Sequence, residues 1–232
     1  MAFKPEQTIP PLFFQNSVKA VVSWTSIAAD GNARHPATLQ KILQRQHLPT
    51  SIALAEQVHG DKIAVVPALS ELRQFKDVDG LLTSAVNQPL GIFTADCVPV
   101  FLYARQKGVI GLLHAGWRGV YRKILPKAMR LLKTHWAISS TDLEVWMGPS
   151  IGGCCFEVGW DVACHFPLTR VRKEKKWFVD LQKELQMQGI QKGLSKRRVI
   201  LNSLCTMESA TSFSYRKTKT NDRLLSLLMR KS

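Results

Sequence analysis

Leu90-Gly91-Ile92-Phe93-Thr94-Ala95-Asp96-Cys97-Val98-Pro99-Val100-Phe101-Leu102-Tyr103, followed after a short charged break by Val109-Ile110-Gly111-Leu112-Leu113-His114-Ala115-Gly116-Trp117-Arg118-Gly119, is the stretch on which the fold turns. Its apolar runs at 90–94, 98–103 and 109–113 are separated by turn residues and are too short for ordinary helices, so they read as buried strands. Polar residues that can bind a metal or a proton, Asp96, Cys97 and His114, stand at the ends of those runs.

Working outward, similar runs at 63–66, 143–147 and 199–201 predict further strands. Pro36 suits the first position of a helix, and Leu39, Ile42 and Leu43 follow at helical spacing, so a helix is expected over 36–47, closed by Pro49. Val120, Ile124, Ala128, Leu131 and Leu132 have helical periodicity, with Pro126 imposing a kink or a restart. Helices are also expected at about 160–166, 181–188 and 222–230. Strands and helices mix without the strict alternation of a doubly wound sheet, and no repeat or low-complexity linker divides the chain. The expectation is one mixed α/β (α+β) domain over residues 1–232. The weakest point for a boundary is the charged stretch 169–176, which reads equally well as a surface loop.

The length of 232 residues and a hydrophobic content of 45% suit a folded globular chain. No apolar run is long enough to span a membrane, and residues 1–11 carry Lys4, Glu6 and three prolines where an export signal needs an apolar run. A cytoplasmic protein is expected, with no membrane partner. Its five cysteines are then better read as thiols than as a disulfide framework. The net charge of +15 would suit a nucleic-acid binder. Its densest runs, 170–176 and 192–198, lack the interleaved aromatics of a single-strand platform. Solvated basic loops, with attraction of an anionic small substrate as a second use, are the preferred reading, and no nucleic-acid partner is expected.

Three segments look over-specified for folding alone: Gln57-Val58-His59-Gly60, Thr94-Ala95-Asp96-Cys97-Val98-Pro99 and His114-Ala115-Gly116-Trp117-Arg118-Gly119. Each sets a metal-competent side chain at a strand edge, where a sheet presents groups to a cleft. Two imidazoles and a thiolate favour zinc and leave a fourth position open. Taken singly, however, Cys97 is more often a small core residue and His59 or His114 a satisfied turn residue. Asp79 and Asp96 could act as acid/base groups or orient a ligand histidine, although turn capping is commoner for Asp before Gly. Arg118 and Arg216 could hold a phosphate, or simply stack on the neighbouring Trp or Tyr. Gly148-Pro149-Ser150 with Gly152-Gly153 could offer backbone N–H groups to an anion. Cys154-Cys155 invites a redox or second-metal reading, but adjacent cysteines in a Gly-rich turn are more often a packing feature.

These strings, together with Asp79-Gly80-Leu81-Leu82-Thr83, Gly148-Pro149-Ser150-Ile151-Gly152, Cys155-Phe156-Glu157-Val158-Gly159 and Phe213-Ser214-Tyr215-Arg216, occur in the order seen in one family. Over about residues 52–216 the chain resembles the bacterial laccase-domain or multicopper polyphenol oxidoreductase proteins, now described as purine nucleoside phosphorylases. The resemblance implies zinc held by His59, Cys97 and His114 in a catalytic role; Asp96, Arg118 and Arg216 are the residues expected to bind the substrate. It also implies a fold of mixed sheets packed between helices, similar to the catalytic domain of cytotoxic necrotizing factor toxins. The implied activity is phosphorolysis of purine nucleosides (adenosine, inosine and methylthioadenosine) with adenosine deamination, by a monomer or homodimer whose partners are a nucleoside and phosphate.

Two other activities follow from the same resemblance: copper-dependent phenol oxidation, and amide hydrolysis on a peptidoglycan precursor with Cys97 as nucleophile or a metal-bound water as the attacking group. Six histidines, none in a His-x-His pair, are too few for a multicopper oxidase. The chain also departs from the family pattern. A Ser-x-Arg-x-Gly-Gly segment is replaced by Val22-Ser23-Trp24-Thr25-Ser26-Ile27 and a run without a matching arginine. Asn221-Asp222-Arg223 stands where Thr-Gly-Arg is usual, and the segment after Val179-Asp180-Leu181 lacks the usual Asn-bearing turn. The basic group expected beside the site is therefore missing from its usual place.

Overall fold

The computed structural model describes residues 21–232. The chain begins with β1 (Val21–Thr25), α1 (Pro36–Arg45), β2 (Ala53–Ala55), β3 (Ile63–Val65), β4 (Arg73–Phe75) and β5 (Gly80–Thr83). The stretch quoted first supplies β6 (Leu90–Thr94), β7 (Val98–Ala104) and β8 (Val109–Ala115), and α2 (Trp117–Tyr121) and α3 (Ile124–Trp136) follow. Then come β9 (Leu143–Met147), β10 (Glu157–Val158), α4 (Trp160–Ala163), β11 (Arg170–Lys173), β12 (Lys176–Val179), α5 (Leu181–Gln191), β13 (Val199–Ile200), α6 (Tyr215–Thr218) and β14 (Leu224–Arg230).

Two mixed sheets stack face to face, with orders β1-β14-β6-β2-β4 and β13-β9-β7-β8-β5-β3, and a small third sheet, β10-β12-β11, stands beside them. Side-chain alternation along each strand builds the layers. On β7, Val98, Val100, Leu102 and Ala104 pack against α3 and α5 through Leu125, Ala128, Leu132, Leu181 and Leu185. Phe101 and Tyr103 on the other face meet Leu90 and Ile92 of β6 and Leu228 of β14, forming the core between the sheets. On the far side, α1 covers the five-stranded sheet, with Leu39, Ile42 and Leu43 against Leu54, Leu225 and Leu227. The result is helix, sheet, sheet, helix, in agreement with mixed sheets packed between helices. Because both faces of the central strands are covered, these strands are apolar throughout.

Three expectations need correction, and the alternative left open at Pro126 is decided. The segment 222–230 is not a helix: β14 runs antiparallel between β1 and β6. Its run of leucines is buried on both faces, and such a run cannot be told from a buried helix by periodicity. The charged stretch 169–176 is not a plain surface loop: most of it lies in the hairpin β11–β12, where Arg170 and Arg172 lie over the ring of Trp177. Pro126 produces a restart rather than a kink: α2 ends before Lys123, which is left-handed (φ 64°), and Pro126 falls in the first turn of α3, where its missing N–H costs nothing. The helix expected at 160–166 ends at Ala163. Among the described residues, no helix is long and apolar enough to cross a membrane.

Phe101 is 1% exposed at the centre of the layer between the sheets. Phe101→Ala should lower unfolding stability by about 3–5 kcal/mol in urea denaturation, because the two sheets cannot close the cavity without giving up contacts elsewhere.

Candidate functional site

Strand register brings three distant residues to one end of the stacked sheets. Gly80 of β5 pairs with Leu113 of β8, so Asp79 lies opposite His114, whose backbone N–H donates to the Asp79 carbonyl at 2.7 Å. Val98 of β7 pairs with Ala115 on the other side of β8, which places Cys97 beside the same strand end. His59 arrives on the loop after β2. That loop is docked on β6 by the Gln57 side-chain amide, which donates to the Phe93 carbonyl at 2.6 Å and accepts from the Phe93 N–H at 2.8 Å.

One buried carboxylate holds both histidines. Asp79, 0% exposed, accepts from the backbone N–H groups of Val58, His59 and Gly60 at 3.3, 3.0 and 2.6 Å. It also pairs with Nδ1 of His114 at 2.8 Å, which leaves Nε2 of that ring for the site. The same contacts steady the left-handed backbone of His59 (φ 57°). One donor atom each from His59, Cys97 and His114 lies within 4.8 Å of the others, so the trio can hold a metal ion.

Gly116 keeps the space among them open: a Cβ there would lie 3.0 Å from Sγ of Cys97 and 3.2 Å from Cδ2 of His59. Gly119 lets α2 close over the His59 loop, because a Cβ there would meet the Gly60 carbonyl at 2.8 Å. His114 is buried, Cys97 half-buried and His59 exposed, so the trio opens to solvent on the His59 side.

Burial opposes ionisation of Cys97, but the charge and hydrogen bond of His114, helped by His59, outweigh it and bring the thiol down to about 6. Burial likewise disfavours the charged His114 ring, yet Cys97 and Asp79 together raise it to about 9. Asp79, despite its own burial, is held below the usual carboxylate range by His114 and the loop amides. Without a metal the group is therefore a thiolate beside an imidazolium at neutral pH.

The trio forms one end of a cavity of about 410 Å³ that also contains Asp96, Arg118 and Arg216. The carboxylate of Asp96 is engaged, accepting from Thr206 Oγ1 and from the backbone N–H of Arg216, both at 2.7 Å. It therefore positions the wall rather than a histidine, and the orienting of a histidine falls to Asp79. Arg118 stacks over Trp117 at 4.5 Å, and Arg216 lies over Phe156 at 5.2 Å while donating to the Glu157 carbonyl.

Two further arginines were not legible as site residues. Arg34 and Arg223 both line the cavity, from opposite ends of the chain. Asn32 joins them, its side-chain oxygen accepting from the backbone N–H of each at 3.1 Å. Burial, and then the charge of Arg223, pull the Arg34 guanidinium below its ordinary value. A basic group thus stands at the site although the usual N-terminal segment lacks it. In the Gly148–Gly153 segment three amides are already engaged: those of Gly148, Ile151 and Gly152 donate to the Pro99 carbonyl, the Asp96 carbonyl and the Cys205 sulfur.

Known proteins share this arrangement of sequence and fold. A protein of Xylella fastidiosa (strain 9a5c) named purine nucleoside phosphorylase is 32% identical over 218 residues, covering 88% of this chain and 81% of its own. A protein of the same name from Aquifex aeolicus is 32% identical over 174 residues, covering 75% of this chain and 80% of its own. The crystal structure of YlmD from Geobacillus stearothermophilus superposes with a TM-score of 0.84 at 25% identity, covering 96% of this chain and 100% of that one. Since the matching family model runs over residues 26–231 and so takes in both the histidine loop and the last strand, the chain belongs to the family described as multi-copper polyphenol oxidoreductase laccase.

Proposed function

We propose that this protein is a zinc-dependent purine nucleoside phosphorylase that also deaminates adenosine, with both reactions in the cavity beside His59, Cys97 and His114. The observation that carries the reading is the meeting, in one cavity, of a soft donor trio with four arginines and aromatic walls. Curated relatives bearing the name purine nucleoside phosphorylase support the substrate class.

Two imidazoles and a thiolate within reach of one another, with Gly116 leaving room between them, suit zinc with a fourth position open. When bound, such an ion supplies Lewis-acid chemistry and makes water a competent nucleophile near neutral pH. Asp79 holds the His114 ring so that Nε2 faces the site, and its grip on the loop amides aims His59. Arg34 and Arg223, whose backbones Asn32 ties together, both line the cavity and offer it two guanidinium groups for a phosphate dianion. Phosphate held there places negative charge near the sugar carbon as positive charge develops on it during bond cleavage. Phe93, Phe156, Trp117 and Tyr215 offer flat apolar surface to a purine.

Copper-dependent phenol oxidation is less well supported. Among the described residues the other cluster of potential ligands is three thiols and a carboxylate, without the imidazoles of a multicopper centre. The low pKa of Cys97 favours one second reading, a thiolate nucleophile for amide hydrolysis. Cys97→Ser separates the two: loss of both zinc and turnover supports ligation, whereas retained zinc with lost turnover supports the nucleophile.

With stoichiometric zinc, the protein should release adenine from adenosine and hypoxanthine from inosine only when phosphate is present, and should convert adenosine to inosine without it. Chromatography that finds none of these products would end the proposal. Arg34→Ala and Arg223→Ala should raise KM for phosphate by at least about tenfold, consistent with loss of a charge-assisted contact, while leaving KM for the nucleoside closer to its original value.

Asp79→Asn should weaken zinc binding by about 10–100-fold in chelator competition, since the amide cannot hold both the ring and the loop as the carboxylate does. In metal-free protein, alkylation of Cys97 should rise with a midpoint near pH 6, and zinc affinity should weaken as pH falls below about 9, where His114 takes up a proton, and more steeply below about 6, where Cys97 does too. An alkylation midpoint near the ordinary thiol value would show that the histidines do not activate Cys97.

A further inference from the structure

Behind the cavity wall, three sulfur atoms and a carboxylate converge without any part in the chemistry above. Cys154 and Cys155 lie in the turn that follows Gly152, and Cys205 and Glu208 in a turn far along the chain, yet one ligand atom from each lies within 4.8 Å of every other. The two turns are joined by a bridge between Ser150 and Cys205 and by the Thr206 N–H, which donates to the Ser150 carbonyl at 3.0 Å. Cys155 donates to Glu208 Oε1 at 3.3 Å.

Two features prepare the cluster for a cation. Gly152 carries no side chain where a Cβ would stand 3.0 Å from Sγ of Cys154 and 3.7 Å from Sγ of Cys205, so the space among the sulfurs stays open. The Cys205 sulfur also accepts from the Gly152 backbone N–H at 3.3 Å, and the nearby amides of Glu208 and Met207 in its own turn favour its anion. Burial resists ionisation of Cys205, but these amides overcome it and lower its pKa. Cys155 is driven the other way, first by burial and then by Cys154, Glu208 and Cys205. Charge on Cys205 therefore opposes ionisation of Cys154 and Cys155, and a shared cation removes that opposition.

We propose that Cys154, Cys155, Cys205 and Glu208 form a second metal site, separate from the His59, Cys97 and His114 trio, that takes a divalent ion of the zinc class. Three sulfurs exclude magnesium and calcium as preferred occupants, which seek oxygen. Three thiolates and a carboxylate fill a tetrahedral shell, and a closed shell is the mark of a structural site. On binding, the thiols release their protons to solvent as the metal–sulfur bonds form. The ion joins the turn that carries the wall residues Ile151 and Phe156 to the turn whose Thr206 holds Asp96. Its role is to fix that wall.

The test uses reduced, metal-stripped full-length protein in which Cys97→Ala removes a ligand of the cavity trio. Titration with cobalt(II) should give one tight equivalent with an intense thiolate-to-metal absorption band, and zinc should displace it. Cys154→Ser, at an exposed position that does not disturb the core, should weaken the band in proportion to the thiolate lost and reduce affinity by at least tenfold. Cys205→Ser should abolish the band, with circular dichroism reporting whether the fold survives. No thiolate band in the Cys97→Ala protein, or a band unchanged by Cys154→Ser, overturns the proposal. So does a disulfide from Cys205 to Cys154 or Cys155, found by mass spectrometry of protein purified without reductant. None of these readouts depends on turnover of any substrate.

Discussion

The candidate site depends on a buried carboxylate. Asp79 has no exposure, and a charge in that position is tolerable only because three amides of the His59 loop and the Nδ1 atom of His114 surround it. Those four partners come from two places in the chain, a loop and a strand end, and the carboxylate makes one rigid unit of them. The electrostatics of the trio follow from the same contact: Asp79 helps keep the His114 ring protonated, and that positive charge beside Cys97 favours its thiolate. Removing the carboxylate would leave unpaired amides at a buried position and free both imidazoles at once.

The two stacked sheets make that carboxylate possible. Register across β5, β8 and β7 sets Asp79, His114 and Cys97 at neighbouring strand ends, and the parallel pairing of β2 with β6 brings the His59 loop to the same edge. The cavity wall is then finished by segments with no strand of their own. Asp96 draws in Thr206 and Arg216, while Asn32 ties Arg34 to Arg223. The site thus has a rigid side built on strands and a side built on side-chain hydrogen bonds between loops. The arginines belong to the second. That division suits a cavity in which donor geometry must be fixed while the groups facing a substrate can adjust.

Much of the fold was legible because local signals were strong. The runs at 90–94, 98–103, 109–113 and 143–147 are strands almost to the residue, and Pro36 with its following leucines marks α1. Reading failed where burial on both faces erased periodicity, as in β14, and where short strands carry little pattern, as in β2 and β4. The hairpin β11–β12 was hidden by its charges, whose cationic heads lie over Trp160, Trp177 and Phe178 instead of standing free in solvent. In the site, Asp79 stood in a quoted motif, but an Asp before Gly gives no sign by itself of reaching a histidine 35 residues away.

By itself, then, the sequence determined which residues can do chemistry: the ordered strings around His59, Cys97 and His114, and the strand ends on which they stand. Side-chain identity and local alternation are properties of the chain, so they can be read from it. Only the tertiary structure decided what those residues meet. Arg34 and Arg223 share a wall because one Asn32 oxygen binds both backbones, and the Cys154, Cys155, Cys205 and Glu208 cluster exists because two distant turns are bridged at Ser150. Contacts of that kind are set by strand register and by the closing of loops over a packed core, and no local preference encodes them.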